Sequence, residues 1–346
     1  MKSNLAIVKT AIAIAIAIAI AIAIAISLSL YAYGSGNYSQ NTTQTTTLAP
    51  TPISENQQTL AMVFPKYTTV FGIKVRGTEK VPDEKLLHAA KILAEYLDNN
   101  DDGLIDNQQV VDMLVAQKAT LAMIADDSEL QPVRDKVGNK KKLPNLQDLK
   151  ASETHPNGAD RGVFDGALEE VLHLITHLGY SKIYPEVFGE RHGSLIADAM
   201  DKARGGRFDT IPDSYPKHAW FTYEDESCNY SCMITEYTYF ALTSMLGGQE
   251  FPGRLEKIQN EWTLNTRAKV QSGDPDVYKI LTNRAYSLPS VLPDGQYNSA
   301  HFEIKMGADE STVVSTEAHD SATKAEQTSV VLLVAVMIIF GKVMLY

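Results

Sequence analysis

An unbroken alternation of alanine and isoleucine, Ala11–Ile26, decides which part of this chain can fold on its own. It follows a short region carrying Lys2 and Lys9 and precedes small residues at Ser27, Ser29 and Ala32. A charged start, an apolar run and small residues form the order of a secretory signal, so residues 1–32 are expected to be a cleaved signal peptide outside the fold. The stretch through Leu30 approaches the roughly 20 apolar residues that cross a bilayer, which makes a retained signal anchor the alternative. Residues 33–59 are rich in Ser, Thr and Gln, a composition that cannot build a core and reads as an exposed, disordered stalk.

The other end is also set apart. Residues 301–329 are polar and residues 330–346 are apolar apart from Lys342. Small residues at Ser321 and Ala322, a spacer and an apolar tail follow the order of a glycolipid-anchor signal, with a weak tail anchor as the alternative. The expected location is therefore the secretory pathway and the extracellular face of the cell surface, with the membrane as a partner through the C-terminal tail. In that setting the sequons starting at Asn37, Asn41 and Asn229 become glycosylation sites. Cys228 and Cys232, the two cysteines of the chain, are expected to form a small-loop disulfide in an oxidising compartment; a Cys/His zinc site is the alternative.

What remains is residues 60–300, about 240 residues, enough for one sizeable core. The chain carries 31 basic against 42 acidic residues, a net charge of -11. That balance excludes nucleic acid, which demands basic patches, and suits cation binding. Leu60–Arg76 reads as one or two strands, and Pro82 and Asp83 start a helix carrying Leu86, Leu87, Ala90, Leu93, Ala94 and Leu97 at helical spacing. A second helix runs through Val110, Val111, Leu114 and Val115; Thr120–Ile124 is strand-like, and Asp126–Leu149 reads as a charged loop. Asp165–Leu178 and Met233–Leu246 are apolar helices stopped by glycines, Leu255–Leu281 looks helical, and Pro289–Tyr297 is irregular. The expectation is a mainly helical α+β domain with a small sheet, flanked by disordered stalks.

Between the first two helices lies Asp98–Gln109. Asp98, Asn100 and Asp102 stand at the first, third and fifth positions, Gly103 at the sixth, and Gln109 at the twelfth. Alternating hard oxygen ligands wrap a calcium ion, and the sixth position turns sharply enough to want glycine. The loop resembles the EF-hand type, which implies Leu104 as a backbone-carbonyl ligand, and Asp106 acting directly or through water. Gln109 replaces the usual bidentate Glu, so weak, extracellular-range affinity is expected. No paired second loop is found; Asp126-Asp-Ser-Glu129 lacks the spacing.

The other concentrated chemistry is Glu169-Glu-Val-Leu-His-Leu-Ile-Thr-His177. On a helix, Glu170, His173 and His177 share one face, with Glu169 beside them. Two imidazoles one turn apart can grip a zinc ion, and Glu236 on a later helix would supply a third ligand. The segment resembles the metal helix of zinc metallopeptidases that use two His and a downstream Glu. It departs at Leu174, where that family carries its catalytic Glu, which leaves Glu170, or Glu169, as the base. The Glu170-x-x-His173 spacing is also similar to di-iron helix bundles, but no second such motif occurs. The alternative for His173 and His177 is ordinary core packing. His192 is a spare ligand or acid candidate, with a solvated loop histidine as the alternative, and Tyr180, Tyr237 and Tyr239 are candidate oxyanion stabilisers or packing residues.

Over Thr68–Tyr297 the body is similar to a group of uncharacterised secreted proteins that share Val81-Pro-Asp-Glu-Lys85, the acidic loop, the Glu-Glu…His helix and Trp220–Glu226. The resemblance implies one folded unit and no activity. Two functions follow as expectations: a membrane-tethered extracellular calcium-binding protein with a zinc-type site, acting as a metallopeptidase-like hydrolase on peptide or protein substrates, or a non-catalytic surface or adhesion module stiffened by calcium.

Overall fold

In the computed structural model the described residues are 55–137 and 145–307. The signal, the sequons at Asn37 and Asn41 and the apolar tail all lie outside them. Among the described residues no helix is long and apolar enough to cross a membrane.

The chain enters through helix α1, Glu55–Val63, where an extended strand was expected to begin at Leu60. Strands β1, Lys66–Val70, and β2, Ile73–Gly77, follow as an antiparallel hairpin in which Val70 faces Ile73. Its two-residue turn has Phe71 at φ 47° and Gly72 at φ 87°, the left-handed pair whose twist matches the flanking strands. Helices α2, Asp83–Leu97, and α3, Gln108–Ala116, then form the crossover to β3, Thr120–Ile124, which pairs parallel with β2. A parallel pair requires such a crossover, and the acidic loop Asp98–Gln109 sits at its apex.

The region expected to loop holds two more elements: helix α4, Leu130–Val137, and strand β4, Leu146–Lys150, parallel to β3. The sheet order is β4-β3-β2-β1-β5, where β5 is Lys305–Met306, beyond the expected domain edge at residue 300. β3 is buried along its whole length because both faces of the sheet are covered. Its Leu121 and Met123 enter the main core, while Ala122 and Ile124 pack with Val63, Phe64, Leu130 and Val133 on the opposite face.

Helix α5, Gly166–Ile175, is N-capped by Asp165 and does not stop at Gly179. It widens into a π-helical segment, Thr176–Tyr180, and runs on into a short turn, Ser181–Ile183. A Cβ at Gly179 would lie 2.8 Å from Val110 Cγ1, so that glycine serves close approach to α3. Helices α6, Leu195–Ala203, and α7, Tyr230–Met245, complete the central packing. The expected helix over Leu255–Leu281 is broken into Arg254–Ile258, Arg267–Gly273 and Pro275–Leu281; Pro275 starts the last piece at its first turn. Among the described residues the fold is one mixed α+β unit with a single five-stranded sheet.

Candidate metal centre

The site begins with the cap of α5. Asp165 accepts a hydrogen bond from Ala167 N at 3.2 Å and another from His155 N at 2.8 Å, and its second oxygen meets His88 Nε2 of α2 at 2.6 Å. Burial alone would raise the Asp165 carboxyl, but His88 and the backbone donors hold it below its usual value. The start of α5 is thereby fixed against α2, and the helix projects Glu169, Glu170 and His173 towards α7.

Among the described residues, the acidic and imidazole groups that bring three ligand atoms within 4.8 Å of one another are Glu169, Glu170 and His173. His173 is buried, with Nδ1 3.4 Å from Glu170 Oε2 and Nε2 3.6 Å from Glu236 Oε2. His173 Nε2 has no hydrogen-bond partner. Gln147 Nε2 of β4 donates to Glu170 Oε2 at 2.6 Å, and the Tyr239 ring packs edge-on to the His173 ring with centroids 5.6 Å apart.

The electrostatics of the group are set by burial and by its own charges. Burial pushes Glu169 up to about 8, Glu236 and Glu170 add to the rise, and burial also raises Glu236. Burial would lower the His173 imidazole, but Glu236, Glu170 and Glu169 outweigh it and raise His173 to about 10. Three carboxylates around one imidazole carry more negative charge than a single proton offsets. A cleft of about 450 Å³ opens onto Glu169 and Glu170 and is lined also by Lys150, Glu153, His155 and Phe164.

His177 is not part of this group. The widened backbone after Ile175 breaks the one-turn alignment with His173 that a continuous α-helix would give. His177 Nδ1 instead meets Glu190 Oε2 at 2.5 Å, and Glu190 also accepts from Ser231 Oγ and Thr235 Oγ1. Of the expected set the structure brings His173 and Glu236 together beside Glu169 and Glu170, and it places His177 against Glu190. Glu170, the expected base, lies within the same group. His192 pairs with Asp209 and lies against the Tyr230 ring, Tyr180 donates to Ser287 O, and Tyr237 donates to Asp274; only Tyr239 of the three tyrosines reaches the centre.

The acidic loop lies between α2 and α3 as expected. Gly103 has φ 85°, the sharp sixth-position turn. Asp98 is fully buried and accepts from Asp102 N, from Gly103 N at 2.8 Å and from Tyr297 Oη at 2.6 Å. Asp102 accepts from Leu104 N and Asn100 Nδ2, and Asp106 accepts from Asn99 N, each at 2.8 Å. Asn100, Asp102, Leu104, Asp106 and Gln109 are exposed. The loop also clasps the C-terminal segment: Asn99 accepts from Ser290 N and Val291 N, and Asp101 accepts from Asn298 N and Ser299 N. Glu95 accepts from three successive backbone donors, Asp294, Gly295 and Gln296.

Cys228 and Cys232 form a disulfide with Cα atoms 5.3 Å apart. It brackets the start of α7, where exposed Asn229 caps the helix by accepting from Cys232 N. Sequence reasoning missed Gln147, because β4 was read as loop, and it missed Gln249, Arg254 and the role of Tyr297. Tyr223 lay within the Trp220–Glu226 stretch, which was its only signal.

No protein-family model, curated protein or solved structure matches this chain.

Proposed function

We propose that this protein is a surface-held metalloprotein whose Glu169, Glu170, His173 and Glu236 bind one divalent transition metal and direct it at hydrolysis. The observation that carries the reading is His173 Nε2, buried and without a hydrogen-bond partner amid three carboxylates. A mixed carboxylate and imidazole set suits zinc, manganese or iron(II) rather than a thiophilic ion. When bound there, such a metal would lower the proton affinity of a water beside it and so supply a hydroxide at neutral pH. The cleft at Glu169 and Glu170 admits substrate, and peptide or ester carbonyls are the class to test first.

Calcium at Asp98, Asn100, Asp102, Leu104, Asp106 and Gln109 is proposed as a stabilising ion. The clasp between this loop and residues 290–299 favours a second reading, a non-catalytic module that calcium stiffens. Elemental analysis and calorimetry with zinc and manganese separate the two. The metal reading expects near-stoichiometric metal in the wild type and its loss in His173→Ala and Glu236→Ala. Metal-free protein that takes up neither ion would leave the stiffened module.

A further inference from the structure

The sequon Asn229-Tyr-Ser231 lies among the described residues, and the folded chain closes it. Cys228 and Cys232 flank the tripeptide, and their disulfide holds the two Cα atoms 5.3 Å apart. Drawn out fully, the same four residue steps would span about 14 Å. The tripeptide is therefore bent back into the first turn of α7, with Asn229 as the cap and Tyr230 and Ser231 already helical. Asn229 is exposed, and its Oδ1 accepts from Cys232 N at 3.0 Å. Tyr230 is buried, with its ring centroid 4.0 Å from that of His192. Ser231 Oγ donates to Glu190 Oε2 at 2.9 Å, and that carboxylate, 7% exposed, is held in turn by His177 and Thr235.

A sequon is read as an asparagine amide together with the hydroxyl two residues on, and it is accepted in an open surface segment. In the folded chain the asparagine faces solvent, but the middle side chain is buried and the hydroxyl is committed to Glu190. We propose that the Cys228–Cys232 bridge is a lock on glycosylation of Asn229: a copy is modified there when glycan transfer precedes closure of the bridge, and not afterwards. The lock rests on the surface-held part of the reading above and is independent of any metal. In the transfer a bond forms between Asn229 Nδ2 and the anomeric carbon of a lipid-linked oligosaccharide. The bond from that carbon to the lipid diphosphate breaks, and the amide gives up one proton. The finished glycan fits the fold, because Nδ2 carries it while Oδ1 keeps its bond to Cys232 N and the cap survives. Transfer and closure compete because their groups emerge together. Cys232 follows Asn229 by three residues, less than about a second of synthesis, whereas a disulfide closes over seconds or longer.

Mass spectrometry of the full-length chain from cells with an N-glycosylation pathway reads the occupancy of each sequon and tests the lock. Asn37-Tyr-Ser39 is the same tripeptide without flanking cysteines and serves as the matched comparison. Asn229 is expected to be occupied in a smaller fraction of copies than Asn37. That fraction should rise towards the Asn37 value when a thiol reductant is present during synthesis, and equally in Cys232→Ala; the chain has two cysteines, so reductant acts on this bridge alone. Glu190→Ala frees the Ser231 hydroxyl but keeps the bridge, and its occupancy should stay at the wild-type value. Equal occupancy of Asn229 and Asn37 in the oxidised wild type, or an Asn229 fraction unmoved by both reductant and Cys232→Ala, would overturn the lock. So would a rise in Glu190→Ala as large as that in Cys232→Ala, which would assign the closure to folding of α7 in place of the bridge. A chain bare at Asn37, Asn41 and Asn229 under every condition would overturn the export on which the lock rests, and zinc and manganese binding, measured separately, is decided by neither result.

Discussion

At the scale of single residues, the centre converts burial into a pH dependence with a definite sign. Glu169 stands at about 8 against an ordinary 4.5, and His173 at about 10 against 6.5. A group whose folded value is raised gives stability that is complete below the unfolded value and lost as pH climbs through the folded one. The Glu169 contribution therefore fades between about 4.5 and 8, and that of His173 between about 6.5 and 10. Metal-free protein is expected to melt at progressively lower temperature from pH 5 to pH 9. Added zinc or manganese should reverse the trend, because ligands must lose protons to bind and affinity rises with pH. Melts at five pH values with and without metal check this; a metal-free midpoint that is flat or rises across the window would contradict the assigned ionisation.

Elements decide which residues meet. The π-helical segment Thr176–Tyr180 sends His177 to Glu190 and keeps it from His173. His177→Ala is accordingly expected to leave metal uptake unchanged. Its side chain is 45% exposed, and solvent screening limits the stability lost to about 1 kcal/mol or less. Loss of metal in that variant would restore the two-histidine site. The N-terminus of α7 is held twice, by the Asn229 cap and by the disulfide. A loop this short still restricts the unfolded chain, so Cys228→Ser with Cys232→Ser is expected to lower stability by about 2 kcal/mol in denaturant unfolding. Because Ser231 and Thr235 of that helix hold Glu190, the His177 contact should loosen with it.

Across the whole molecule, the acidic loop ties the β2 to β3 crossover to the C-terminal segment of the described chain. It lies in the β2 to β3 crossover, and it grips residues 290–299 just before β5 completes the sheet edge beside β1. Tyr297→Phe removes one of the donors of fully buried Asp98, a loss worth about 1.5 kcal/mol for a bond to a charged group. Calcium that binds the native loop raises stability by mass action. Millimolar calcium is therefore expected to raise the melting midpoint, and Asp98→Ala to abolish the rise; an unchanged midpoint in the wild type would remove calcium from the account. The sequence by itself determined the helices on either side of Asp98–Gln109, the strand Thr120–Ile124, the α5 and α7 segments and the cysteine pairing, because caps, apolar periodicity and short separations are local. It placed Glu170, His173 and Glu236 near one centre by helical spacing and composition. Only the tertiary structure decided that His177 leaves them, that Gln147 reaches in from an unread strand, and that Tyr297 and Arg254 support Asp98 and Tyr239 from distant segments. Those choices depend on one widened helical turn and on contacts between residues far apart in the chain, and a local pattern of side chains carries no trace of either.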